Sequence, residues 1–106
     1  MDSKARFAKA IDSLFIHLGR EAEYRPVEGA PFPILVIARL PEQVFELGEG
    51  RIHAEHPQFE FRVSEVVSPN RGDHIGLDTH SYRIEAEPRL ELHQLVWVAD
   101  RLSLGF

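Results

Sequence analysis

The stretch Pro69-Asn70-Arg71-Gly72-Asp73-His74-Ile75-Gly76-Leu77-Asp78-Thr79-His80-Ser81-Tyr82-Arg83-Ile84-Glu85-Ala86-Glu87 decides how this chain folds. Ile75 and Leu77, then Tyr82, Ile84 and Ala86, alternate with polar neighbours at the period of two that turns one face of a strand toward a core. Asp78, Thr79, His80 and Ser81 lie between the two runs and supply the reversal, so the stretch is read as one β-hairpin. At its entrance Pro69, Asn70 and Gly72 make a turn, in which Gly72 lets the backbone reverse and Asp73 can bond nearby backbone amides. Arg71-Gly72-Asp73 also spells the tripeptide read by integrins, but for a chain read as cytoplasmic and free of cysteine the turn is explanation enough.

Working outward, further strands are expected on the same grounds. Ala22 and Tyr24 alternate with charged residues up to Pro26, and a turn with Glu28-Gly29 follows. Residues 32–40 carry Ile34, Leu35, Val36 and Ile37 in a row, the mark of a central strand or one buried on both faces. Phe59, Phe61 and Val63 alternate with Gln58, Glu60 and Arg62 as in a half-exposed strand. Residues 64–67 form a corner or brief helical turn. Residues 90–98 close the set, with a shift of phase near Gln94 that suggests a bulge. Residues 42–57, with Gly48 and Gly50 among Val44, Phe45, Leu47 and Ile52, are read as a flexible connection, and residues 101–106 as a weakly held tail.

The N-terminal segment differs in period. Phe7, Ile11, Leu14, Phe15 and Leu18 recur at spacings of three and four, which is one stripe of an α-helix over residues 3–18. Asp2 or Ser3 can cap its start, and Gly19 is expected to end it in the left-handed conformation. The expected fold is therefore mainly β (α+β): one helix, then a small β-barrel or sandwich of about six strands, as a single domain over residues 1–106.

Composition narrows the function. A formal charge of −5 over 106 residues opposes free-standing nucleic-acid binding, which needs a basic footprint against the phosphates. With no cysteine there is no disulfide scaffold, thiolate nucleophile or sulfur-ligated zinc site. Lys4, Arg6, Lys9 and Asp12 interrupt the first helix, which is unlike a signal peptide, and no apolar run approaches the ~20 residues of a membrane span. A soluble, cytoplasmic protein is the expectation.

No arrangement of catalytic residues emerges. The serines 64, 68 and 81 lack a Gly-x-Ser-x-Gly elbow, and Glu85 with Glu87 is a solvated pair on one side of a strand. Gly48-Glu49-Gly50 alone is a turn and not a phosphate loop. Of six histidines, His53 and His56 lie three apart beside Glu55, but Pro57 and the nearby glycines oppose the helix that spacing suits, and zinc needs three or four converging ligands. Neither catalytic residues, nor a metal, nor a cofactor is expected. Trp97 and Tyr82 suit a partner pocket or the core equally. Val44, Phe45 and Leu47 are apolar residues in a Gly-flanked segment, such as a neighbour can order.

The pieces together, Phe7 to Gly19, Tyr24 to Pro26, Ile34 to Ile37, Phe59 to Val63, Pro69 to Asp73 and Tyr82 to Ile84, resemble in order and spacing the head-tail joining proteins of lambda-like tailed phages. The resemblance implies a non-catalytic protein of a phage or prophage. It would complete the virion neck after DNA packaging, as a ring between the head-completion or portal side and the tail-terminator side. It implies a monomer in solution that forms its ring on the particle, with no membrane and no specific nucleic acid as partner. By analogy the contact elements are residues 42–57, with Val44, Phe45, Glu46, Leu47, Glu49 and Arg51 as partner-binding residues, and the C-terminal tail. Two other readings follow in order: a tail-terminator or tail-tube-like ring subunit, which would self-assemble without a template, and a small metal-dependent barrel enzyme of the cupin type. The His53–His56 spacing does not match the cupin metal motif cleanly.

Overall fold

The computed structural model of the protein describes residues 3–40, 44–47, 50–53 and 56–105, with side chains over residues 3–40 and 56–105. Helix α1 (Ser3–Leu18) comes first. Ten strands follow: β1 (Arg20–Arg25), β2 (Phe32–Arg39), β3 (Val44–Leu47), β4 (Gly50–His53), β5 (Gln58–Arg62), β6 (His74–Leu77), β7 (His80–Ile84), β8 (Arg89–Glu91), β9 (Val96–Ala99) and β10 (Leu102–Gly105). Eight of them form one antiparallel sheet in the order β10-β7-β6-β1-β2-β5-β9-β8, and β3 pairs with β4 in a sheet of two.

The period-two pattern sets the two faces of the large sheet. Ala22 and Tyr24 on β1, Ile34 and Val36 on β2, Phe59 and Phe61 on β5, Ile75 and Leu77 on β6, and Tyr82 and Ile84 on β7 are all buried in one cluster. On the opposite face Val96 and Val98 of β9, with Leu35 and Ile37 of β2, meet Ile11 and Phe15 of the helix. The row Ile34 to Ile37 thus belongs to a central strand covered on both sides, as its unbroken apolar run implies. Burying Ile11 and Phe15 fully contributes about 1.5–3 kcal/mol each. Arg62 fastens the helix from the end of β5, 2.9 Å from Asp12 and 2.9 Å from Glu65, with its guanidinium 5.6 Å from the centre of the Phe15 ring. Burial opposes that charge, but the hydrogen bonds and charges of Asp12 and Glu65 outweigh it and raise the Arg62 pKa.

The sheet curls but is not closed, so the expected barrel is corrected to an open sheet. The chain passes from Ala99 at the end of β9 to Leu102 at the start of β10 through two residues, a span of at most about 11 Å. The two strands therefore stand at one corner although six places separate them in the sheet. They do not pair, because β8 already occupies the second side of β9, with Arg89 opposite Val98 and Glu91 opposite Val96.

Other expectations are corrected as well. The expected count of six strands is corrected to ten among the described residues: the last of the six is two, and β3 and β4 lie in the stretch expected to be an irregular connection. Residues 92–95 form a turn between β8 and β9, in which Leu92, His93 and Gln94 have φ of 52°, 57° and 64° and Leu95 N–H donates to the carbonyls of Glu91 and Leu92. A turn made of left-handed residues without glycine leaves no turn signature in the sequence, and the phase shift near Gln94 was its trace. The tail is corrected too: Leu102–Gly105 pairs with β7. Gly19 does not adopt a left-handed conformation. Its N–H caps the Phe15 carbonyl at 2.8 Å, and a Cβ there would stand 2.4 Å from that same oxygen. Close approach, not a positive φ, makes the glycine necessary. The β6–β7 reversal is tighter than expected, confined to Asp78 and Thr79, with Asp78 at φ 56°.

Candidate assembly surface

The β3–β4 pair is inserted between two paired strand ends, because Arg39 at the end of β2 and Gln58 at the start of β5 are cross-strand partners. Neither β3 nor β4 is part of the eight-stranded sheet. Within the pair Val44 faces His53, Phe45 faces Ile52, Glu46 faces Arg51 and Leu47 faces Gly50. The backbone thus brings five of the six expected partner-binding residues, Val44, Phe45, Glu46, Leu47 and Arg51, onto two paired strands, while Glu49 lies outside the described residues. Of the connection expected over residues 42–57, residues 42–43, 48–49 and 54–55 likewise lie outside them.

A second surface is a groove of about 630 Å³ between the β1–β2 connection and the segment that leads into β6. Buried Tyr24 and Val66 and half-buried Phe32 line it, and Val27 and Val67, 66% and 80% exposed, form lips. Asp73 holds the walls together. Its side chain accepts hydrogen bonds from the Tyr24 hydroxyl at 2.5 Å, the Val27 N–H at 2.9 Å and the Asn70 N–H at 2.9 Å. Its own N–H donates to the Asn70 carbonyl, its carbonyl accepts from Ile84, and Gly72 before it has φ 96°. Three donors converging on one carboxylate explain how a residue 2% exposed tolerates burial. Burial, then the hydrogen bond and charge of Asp73, push the Tyr24 phenol far above its ordinary range, so it remains a donor. With its carboxylate turned inward, the Arg-Gly-Asp tripeptide presents no acidic group to a receptor.

The groove is lined by no histidine or cysteine among the described residues. Among the described residues no three histidine, aspartate or glutamate side chains gather closely enough to hold a metal ion. His56 is exposed, His93 stacks edge-on against Phe7 at 4.5 Å, and His80 lies 6.3 Å from the Tyr82 ring. Ala54 and Glu55 between His53 and His56 are outside the described residues. Tyr82 is a core residue packed on Phe59, and half-buried Trp97 packs against the same cluster, its indole N–H donating to the Val66 carbonyl at 2.8 Å. No described helix is long and apolar enough to cross a membrane.

An open mainly-β sheet under one helix, with an inserted pair of strands, is the setting in which the comparison with known families is informative. The family model described as Phage Head-Tail Attachment protein matches residues 4–101. The chain belongs to the phage head-tail attachment family. No curated protein matches it in sequence. Members of a head-tail attachment family are structural proteins that act with other virion proteins, and attachment of head to tail places them at the virion neck. Two features of this family member escaped the sequence reading. The valine lips of the groove carry no pattern, being single residues in loops, whereas the β10 edge left a signal in the alternation of Leu102, Ser103 and Leu104.

Proposed function

We propose that the chain, acting as a single domain, is a non-catalytic ring component of the phage or prophage neck that joins the packaged head to the tail. The observation that carries this reading is the family match across residues 4–101, nearly the whole chain. In this reading the protein is a monomer in the host bacterial cytoplasm during assembly and forms its ring on the particle, between the head-completion or portal side and the tail-terminator side. Val44, Phe45, Glu46, Leu47, Glu49 and Arg51 belong to the contact surface, a role that suits a segment inserted between the paired ends of β2 and β5.

The test is complementation. Purified chain added to phage heads lacking their joining protein, together with tails, yields infectious particles if the reading is right. Sedimentation of the free chain then gives a monomer. A spontaneous ring in free solution would favour a tail-terminator or tube subunit instead, and bound metal at stoichiometric level would overturn the non-catalytic reading.

A further inference from the structure

The two edges of the eight-stranded sheet are built differently. At one edge β8 is three residues long, follows Pro88 and carries Arg89 and Glu91, which pair at 3.1 Å, while Arg89 also bonds Asp100. Short length, charge and an adjacent proline are the devices by which an edge strand resists pairing with another chain. At the other edge β10, Leu102-Ser103-Leu104-Gly105, has no charge and no proline, and Leu104 is 45% exposed.

The pairing with β7 shows which groups that edge offers. The Glu85 N–H donates to the Arg101 carbonyl, so residues 85 and 101 are a hydrogen-bonded pair. Alternation along an antiparallel ladder then makes Arg83 with Ser103, and Ser81 with Gly105, the next such pairs. The N–H and C=O groups of Leu102 and Leu104 consequently face away from β7, at the outer edge. They are placed to receive another strand.

The molecule also contains a pair of strands short of a neighbour. The β3–β4 sheet has two strands of four residues and pairs with no other described strand. A two-stranded sheet is marginal on its own and becomes stable when a third strand joins it. Its strands match the four residues of β10 in length.

We propose that β10 of one copy of this chain pairs with the β3–β4 sheet of a second copy, so that neighbouring copies are joined by main-chain hydrogen bonds across a continuous sheet. The inference rests on the ring reading given above and names the contact within it. Donor and acceptor are different surfaces of the same chain, which makes the contact heterologous and lets it close into a ring instead of ending at a two-fold dimer. Main-chain bonds supply the attraction.

The substitution Leu104→Pro tests this, because it removes an N–H that faces outward and leaves the hydrogen-bonded pairs with β7 in place. Leu104→Thr, which keeps the N–H, is the companion. Thermal unfolding of each monomer establishes that both fold. Incorporation into neck-less particles is expected to fall by about tenfold or more for Leu104→Pro and to stay close to the parent for Leu104→Thr. Because the chain has no cysteine, contacts can also be mapped by mixing a Leu104→Cys chain with a Phe45→Cys or Ile52→Cys chain on such particles and oxidising. Disulfides between unlike chains are expected, and none with Leu90→Cys at the β8 edge. Normal incorporation of folded Leu104→Pro while rings still form would overturn the inference and leave the ring reading standing. Disulfides between two Leu104→Cys chains would overturn it in favour of β10 pairing with itself. A parent chain that forms no ring even on particles would overturn the ring reading and this inference with it.

Discussion

Phe59 on β5 and Tyr82 on β7 meet edge to face, with ring centres 5.0 Å apart, although three strands lie between β5 and β7 in the sheet. Four strand spacings along a flat sheet would put them about 19 Å apart. The contact therefore measures how far the sheet curls. Replacing Phe59, which is fully buried, removes the ring that bridges the curl. Phe59→Ala is expected to lower the unfolding free energy by about 3–5 kcal/mol, measured by denaturant titration, more than an exposed aromatic would.

The Tyr24–Asp73 bond gives a pH signature. The phenol is raised in the folded protein, so the folded state holds its proton more tightly than the unfolded state does. Its contribution is complete below the unfolded value and is lost as pH rises beyond about 10. Thermal melts of the parent are expected to fall in midpoint above that pH, and Tyr24→Phe to fall less steeply. At neutral pH Tyr24→Phe should cost about 1.5–3 kcal/mol, the range for hydrogen bonds to a charged group. Asp73→Ala should cost more, because it leaves the Tyr24 hydroxyl and the Val27 and Asn70 N–H groups without their acceptor.

At Gly19 the close approach to the Phe15 carbonyl leaves no room for a methyl group. Gly19→Ala is expected to destabilise by about 1–3 kcal/mol despite the higher helix propensity of alanine, since backbone and not a flexible side chain must move. Circular dichroism melts at a single wavelength suffice to check it.

The β8–β9 turn invites the opposite change. Gln94 has φ 64°, exposed and in a region that disfavours residues with a Cβ. Gln94→Gly is expected to gain about 0.5–1 kcal/mol, visible as a rise of a few degrees in the melting midpoint.

Charge reversal at Glu46, Glu49 and Arg51 tests the proposed contact surface. The variant should keep the circular dichroism spectrum of the parent and fail to support infectious particles. Loss of the fold instead would place those residues in the core.

Much of this was legible in one dimension. The alternation of Ile75, Leu77, Tyr82 and Ile84 and the row Ile34 to Ile37 each placed an element and its buried face, and the helical stripe placed the helix but only part of its face, since Ile11 and Phe15 are buried while Leu14 and Leu18 are exposed. Asp73 as an acceptor of amide bonds was also foreseen from its turn. Which amides it would bind was not: Val27 lies 46 residues away, and its bond depends on how β1 comes to lie beside β6. The open sheet was equally hidden, since it follows from β8 turning back onto β9 through three left-handed residues and taking the place β10 would need to close a barrel. The sequence by itself determined most of the strands, the residues at the centre of the core and the kind of protein this is. Only the tertiary structure decided where the sheet ends, because an edge is defined by the strand that is missing beside it, and no local pattern records an absent neighbour.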